Sequence, residues 1–189
     1  MPAKKKLIQG VGTNAYEGQL YFEGKPLPSY KAWYSMLNRC YSGKVPAYEN
    51  TTVCAEWLEF TVFKDWHDTN YIKGYHLDKD ILGDGTLYSP ATCSYVTGKV
   101  NCFLSFTSGG RGPLPVGVYQ SKNKYIAQCR DVLGASPRNV GAFTDITTAS
   151  NAWVARKLKY LDNFYNAGLV TYQQKQCIAA LINKEAYCG

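Results

Sequence analysis

Residues 74–101 read GYHLDKDILGDGTLYSPATCSYVTGKVN, and the fold turns on how this stretch is divided. GYHLDKDIL predicts a strand, Gly83-Asp84-Gly85 a turn, and LYSP a short return strand. Pro90 opens a helical or loop segment that leads to Asn101. The local unit is therefore strand, turn, strand, helix. Side chains alternate across an extended strand, so His76, Asp78 and Asp80 share one face while Leu77, Lys79 and Ile81 share the other.

Upstream, the pattern is helical. In SYKAWYSMLNRCY, Ser29 is a candidate N-cap, and Trp33, Met36, Leu37 and Cys40 recur at helical spacing until Gly43 and Pro46 stop the run. A second helix is expected through AEWLEFTVFKDWHDTNY, with Trp57, Phe60, Phe63 and Trp66 along one side as core. Residues 1–28, with Lys4-Lys5-Lys6 and then GVGTNAYEG, read as a flexible lead-in.

Downstream, TSGGRGPLP (107–115) is the best linker in the chain. After it, VGVYQSKNKYIAQCRD alternates apolar and polar residues around a Lys-Asn-Lys turn, as a hairpin does. LGASPRN then connects to VGAF, a third strand. TDITTASNAWVARKLKYLDNFYNAG follows as a helix, with Ala152, Ala155, Leu158 and Tyr160 or Leu161 spaced to pack on the sheet and Gly168 as its stop. The tail from residue 169 to 189 offers one more helix. The expected fold is α+β. Helices and a strand-rich unit fill residues 29–107, and a three-stranded antiparallel sheet packed on a helix fills residues 115–168.

Composition narrows the function classes. Of 189 residues, 46% are hydrophobic and 19% charged, which supports a packed core and argues against wholesale disorder. No apolar run approaches the ~20 residues of a membrane span, and MPAKKKLIQG lacks the apolar centre of a signal peptide. The expectation is a cytoplasmic protein with no membrane partner. The seven cysteines are an odd number without CxxC pairs, and read as reduced thiols. Cys40, Cys54 and Cys93 have no zinc signature in their spacing, so a structural zinc is not expected.

Charge is uneven. The chain carries +7 overall, from 21 basic and 14 acidic residues; residues 107–189 hold 10 basic and 4 acidic groups, or +6. A basic C-terminal half points to a polyanionic partner, because Lys and Arg gain affinity by releasing counterions from phosphates. On the hairpin and third strand the candidate double-stranded DNA contacts are Lys122, Lys124, Gln128, Arg130 and Arg138. Arg130 and Arg138 suit guanine and Gln128 suits adenine, whereas the lysines suit phosphates. Alternation alone leaves open which sheet face is exposed.

The succession YKAWYSMLNRCY, VCAEWLEFTVFKDW and GYHLDKDILGDGTLYSPATCSYVTGKVN resembles the small HNH-type homing endonucleases of tailed phages, over about residues 30–165. LDKDIL and YSPATC are its most specific parts. Members of that family commonly follow the nuclease region with a domain similar to the plant Apetala-type DNA-binding domain, and residues 116–165 fit that description. In the latter the sheet lies in the major groove. The resemblance implies an HNH-like ββα-metal unit within 29–107, a metal-dependent DNA endonuclease, and a phage-infected bacterial cytoplasm as its setting.

Residue by residue, Leu77-Asp78-Lys79-Asp80 stands where the family has hydrophobic-Asp-His, and Thr92 to Val96 where it has Asn-Leu-Arg. Asn101 stands where the terminal His or Asn belongs. The family's general-base position thus holds Lys79, and its central Asn position holds Thr92. What the resemblance implies is a magnesium or manganese ion held by Asp78, Asp80 and Asn101. His76 or Lys79 would assist proton transfer: His76 as base, or charged Lys79 against the phosphate. The alternatives are a relative that keeps the fold and binds DNA or regulates a nucleic-acid enzyme without cleaving, and a protein-binding phage accessory factor.

Overall fold

In a computed structural model, which describes residues 7–105, 113–131, 133–134 and 138–187, the chain separates into two units, Met1–Tyr95 and Val96–Gly189. The fold is mixed α+β. The division falls before the expected linker, most of which lies outside the described residues, and it assigns the helix bearing Asn101 to the second unit.

Unit 1 is organised by two helices, α1 (Pro28–Tyr41) and α2 (Phe60–Asn70). Helix α1 begins one residue before the expected cap. Pro28 occupies the first turn, where its missing N–H costs nothing, and Ser29 is buried behind it instead of capping. The expected continuous helix from residue 55 is two pieces: a 3-10 turn at Ala55–Leu58, then α2. They are separated by Glu59, which is extended (φ −93°, ψ 124°) and whose carboxylate accepts the Thr61 N–H as the α2 cap.

Trp33, Met36, Leu37, Trp57, Phe60 and Phe63 are fully buried together, with Val53, Tyr88 and Cys93 completing the core. The Trp33 indole donates to the Trp57 carbonyl at 2.7 Å, so its polar edge is satisfied inside that core. Burial of each such ring stabilises by about 1.5–3 kcal/mol.

Residues 7–28 of the lead-in are structured. Strands β1 (Tyr21–Phe22) and β2 (Lys25–Pro26) form a small hairpin, and the Thr13 N–H and C=O bond to Leu58 and Phe60. Gly-bearing turns there close local contacts. Lys4 to Lys6 lie outside the described residues.

The decisive stretch folds differently from the hairpin expected. Strand β3 (Thr52–Val53) pairs in parallel with β5 (Leu87–Tyr88), and β4 (His76–Asp78) pairs with β6 (Ser94–Val96). The Gly83-Asp84-Gly85 segment therefore does not join two paired strands. Strand β4 stops at Asp78, because the Asp78 side chain captures the next backbone N–H groups and bends the chain.

Unit 2 opens with α3 (Gly98–Leu104), capped by the Thr97 hydroxyl. It continues with the antiparallel sheet β7 (Val118–Ser121), β8 (Lys124–Gln128) and β9 (Asn139–Phe143), in that order. Helix α4 (Ile146–Asn166), capped by the Asp145 carboxylate, packs on all three strands. Its buried stripe is Ala149, Trp153, Val154, Lys157, Tyr160, Leu161 and Phe164, rather than the expected Ala152, Ala155 and Leu158. A step of three residues drifts off a 3.6-residue helix face, and the large apolar side chains set the true one.

Gly117 has φ +75°, and a Cβ there would stand 2.1 Å from Trp153, so this close approach of strand to helix requires glycine. Helix α5 (Tyr172–Tyr187) returns along α4, burying Ile178 and Ile182. Its start is a reciprocal cap: the Thr171 N–H donates to the Gln174 side chain, and the Gln174 N–H donates to the Thr171 hydroxyl.

Candidate nucleic-acid interface

The acidic stretch of unit 1 is locally self-satisfied. Asp78 is buried, and its Oδ1 accepts the backbone N–H groups of Asp80 and Ile81 at 3.0 Å each. Burial pushes its pKa up; the Ile81 and Asp80 N–H groups oppose that, and the nearby Asp80 charge adds to it. Lys79 is also buried, with its ammonium 2.6 Å from Asp80 Oδ1 and within 6 Å of the Tyr48 and Tyr88 ring centres. His76 and Asp80 are exposed. The shared face expected for His76, Asp78 and Asp80 ends with the strand, so Asp78 turns inward and Asp80 lies on the bend.

Asn101 sits exposed on α3 in the other unit, its carbonyl accepting the Ser105 hydroxyl. Thr92 donates its hydroxyl to the Leu87 carbonyl at 2.7 Å and accepts the Ser89 N–H, which locks the turn after β5. Backbone N–H groups fill Oδ1 of Asp78, and a cation already stands against Asp80. Among the described residues no group of three His, Cys, Asp or Glu side chains is placed to hold a metal, Cys40, Cys54 and Cys93 included.

The sheet of unit 2 brings its candidates together. The two-residue turn at Lys122-Asn123 pairs Ser121 with Lys124 and Tyr119 with Ile126. This places Tyr119 and Ser121 on one face with Lys124, Ile126 and Gln128, and Val118 and Gln120 on the other with Tyr125 and Ala127. That pairing settles the open face. Val118, Ala127 and Cys129 are buried toward α4, while Tyr119, Lys124, Gln128 and Arg130 are exposed.

A register shift at Ala127/Gln128 re-aims the end of the sheet. Arg130, Arg138, Gln128 and Tyr119 there line one cleft of about 320 Å³. The Gln128 amide reaches the Tyr119 hydroxyl at 3.5 Å. Lys122 holds the hairpin tip at φ +52°. Tyr119 is the member that sequence reasoning missed; once the two-residue turn is known, its pairing with Ile126 puts it on the Lys124 face.

No family model, curated protein or solved structure matches the chain. No helix among the described residues is long and apolar enough to cross a membrane.

Proposed function

We propose that the chain is a double-stranded DNA-binding protein that lays the exposed face of its three-stranded sheet into the major groove. The observation that carries this reading is the convergence of Arg130, Arg138 and Gln128 on one cleft at the end of the sheet. Two guanidiniums and an amide are the side chains suited to paired acceptors on guanine and to adenine. Lys122 and Lys124, at the hairpin tip, suit phosphates, which position the sheet without reading sequence. The groove, about 12 Å wide, admits a β-ribbon.

Mobility shift of duplex DNA in the absence of divalent metal tests it. The chain retards the duplex, and Arg130→Ala with Arg138→Ala weakens retardation at least tenfold. Retention of full affinity by that pair rejects the reading.

Metal-dependent cleavage of the phage homing-endonuclease type is the second reading. What favours it is the exposure of His76 and Asp80 beside a family-like LDKDIL segment. Its test is nicking of supercoiled plasmid with magnesium or manganese, abolished by His76→Ala. Plasmid left intact alongside a duplex shift selects the non-cleaving form.

A further inference from the structure

Unit 1 contains a pocket of about 510 Å³ that the duplex reading does not use and that the cleavage reading touches only at His76. One wall is the polar face of α1, where Lys31, Ser35 and Arg39 recur at helical spacing. At 1.5 Å per residue, Lys31 and Arg39 stand about 12 Å apart along the axis. Lys25, from the β1–β2 hairpin, adds a third cation to the lining. Among the described residues no carboxylate lines the pocket. The ion pairs among the described residues are Lys64–Asp68, His67–Asp68, Lys79–Asp80 and Lys175–Asp162, so none neutralises these three cations.

The other wall is aromatic: Tyr71, Tyr75 and Tyr95 with His67. The His67 ring stacks on Tyr71 at 4.6 Å and meets Tyr95 edge-on at 5.5 Å. His67 is 2% exposed. Its Nδ1 faces the Asp68 carboxylate at 3.2 Å, which fixes the proton there in the neutral ring and leaves Nε2 as an acceptor. That Nε2 and the Tyr95 hydroxyl are buried without a hydrogen-bond partner. Leaving such groups unmade costs about 1–3 kcal/mol each, and both belong to residues lining this pocket.

We infer that this pocket binds a nucleotide, its phosphate on Lys25 and Lys31 and its base against the tyrosines, with His67 Nε2 and the Tyr95 hydroxyl meeting the base edge. Uncompensated cations call for a polyoxyanion, an aromatic wall for a flat ring, and an orphaned acceptor and hydroxyl for a ring with polar edges. A nucleotide unites the three. It can arrive free or as an unpaired nucleotide of a strand.

The test uses the full chain carrying Arg130→Ala and Arg138→Ala, so that the sheet face of unit 2 is silenced and failure here stays distinct from failure of the duplex reading. Thymidine monophosphate, a five-residue oligo-dT and inorganic phosphate are titrated by calorimetry. Binding of the monophosphate assigns a free nucleotide, and binding of the oligonucleotide alone assigns a strand nucleotide. Either is weakened at least tenfold by Lys25→Ala with Lys31→Ala, both exposed positions.

Tyr95→Phe removes the orphaned hydroxyl. It raises the melting temperature of the free protein yet weakens nucleotide binding severalfold, a pairing that a purely structural tyrosine would not show. The inference is overturned if neither nucleotide probe binds at millimolar concentration, if inorganic phosphate binds as tightly as they do, or if the lysine pair or Tyr95→Phe leaves their affinity unchanged.

Discussion

Asp78 Oδ1 accepts the Ile81 backbone N–H at 3.0 Å, three residues along the chain, and shares that oxygen with the Asp80 N–H. The carboxylate thus terminates strand β4 and turns the chain toward buried Ile81. An amide oxygen can accept the same two bonds without burying a charge. Asp78→Asn is therefore expected to fold with wild-type stability or better, whereas Asp78→Ala leaves two N–H groups unmet and loses about 2 kcal/mol or more in urea unfolding.

The pH dependence at Asp78 has a definite sign. Its folded pKa is raised above the free-aspartate value by burial, so the native state holds the proton more tightly. The stability contributed by this group is full at low pH and falls as pH rises from the unfolded to the folded pKa. Asp78→Asn removes that acid-range slope, as stability curves taken across the range will show.

At the hairpin tip, Lys122 adopts φ +52°, a backbone conformation in which a Cβ costs about 1–2 kcal/mol. Lys122→Gly relieves this and is expected to raise stability by up to about 1 kcal/mol, while removing a phosphate contact. Opposite signs in the melting temperature and in duplex affinity would mark a residue kept for binding at the expense of the turn.

The parts legible in the sequence were those with a strong local period. The α1 and α2 aromatic rows, the β7–β8 hairpin and the following helix all follow from spacing. The partners of very short strands did not, because two-residue strands such as Thr52–Val53 and Leu87–Tyr88 pair through distant backbone, which no period encodes. The shared face expected for His76, Asp78 and Asp80 is lost for a related reason. Alternation holds only while a strand continues, and Asp78 ends its own strand by bonding to the backbone. The exposed sheet face depended on a single number, the two residues of the Lys122-Asn123 turn, which fixes the relation of one strand's faces to the next.

Lys157 is buried on α4, donating to the Phe103 carbonyl at 2.6 Å with its ammonium 3.7 Å from the Phe103 ring centre. Burial pushes its pKa down to about 8. Below that pH the native state holds a desolvated charge, a penalty of about 3 kcal/mol at 1.36 kcal/mol per pKa unit. Between about pH 8 and the unfolded lysine value, near 10.4, the unfolded chain binds more protons, so this group makes the protein more stable as pH rises. Lys157→Met flattens that slope in thermal melts across the interval, at the cost of one hydrogen bond to Phe103.

The salt dependence of duplex binding tests the central claim most directly. If the sheet grips phosphates through Lys122 and Lys124 while Arg130, Arg138 and Gln128 meet base edges, log affinity falls linearly with log salt. Each lysine replaced by alanine then lowers the slope by about one, and Gln128→Ala changes base preference with the slope intact. A slope that is flat, or one that both lysine substitutions leave untouched, would contradict the assignment of this face to DNA.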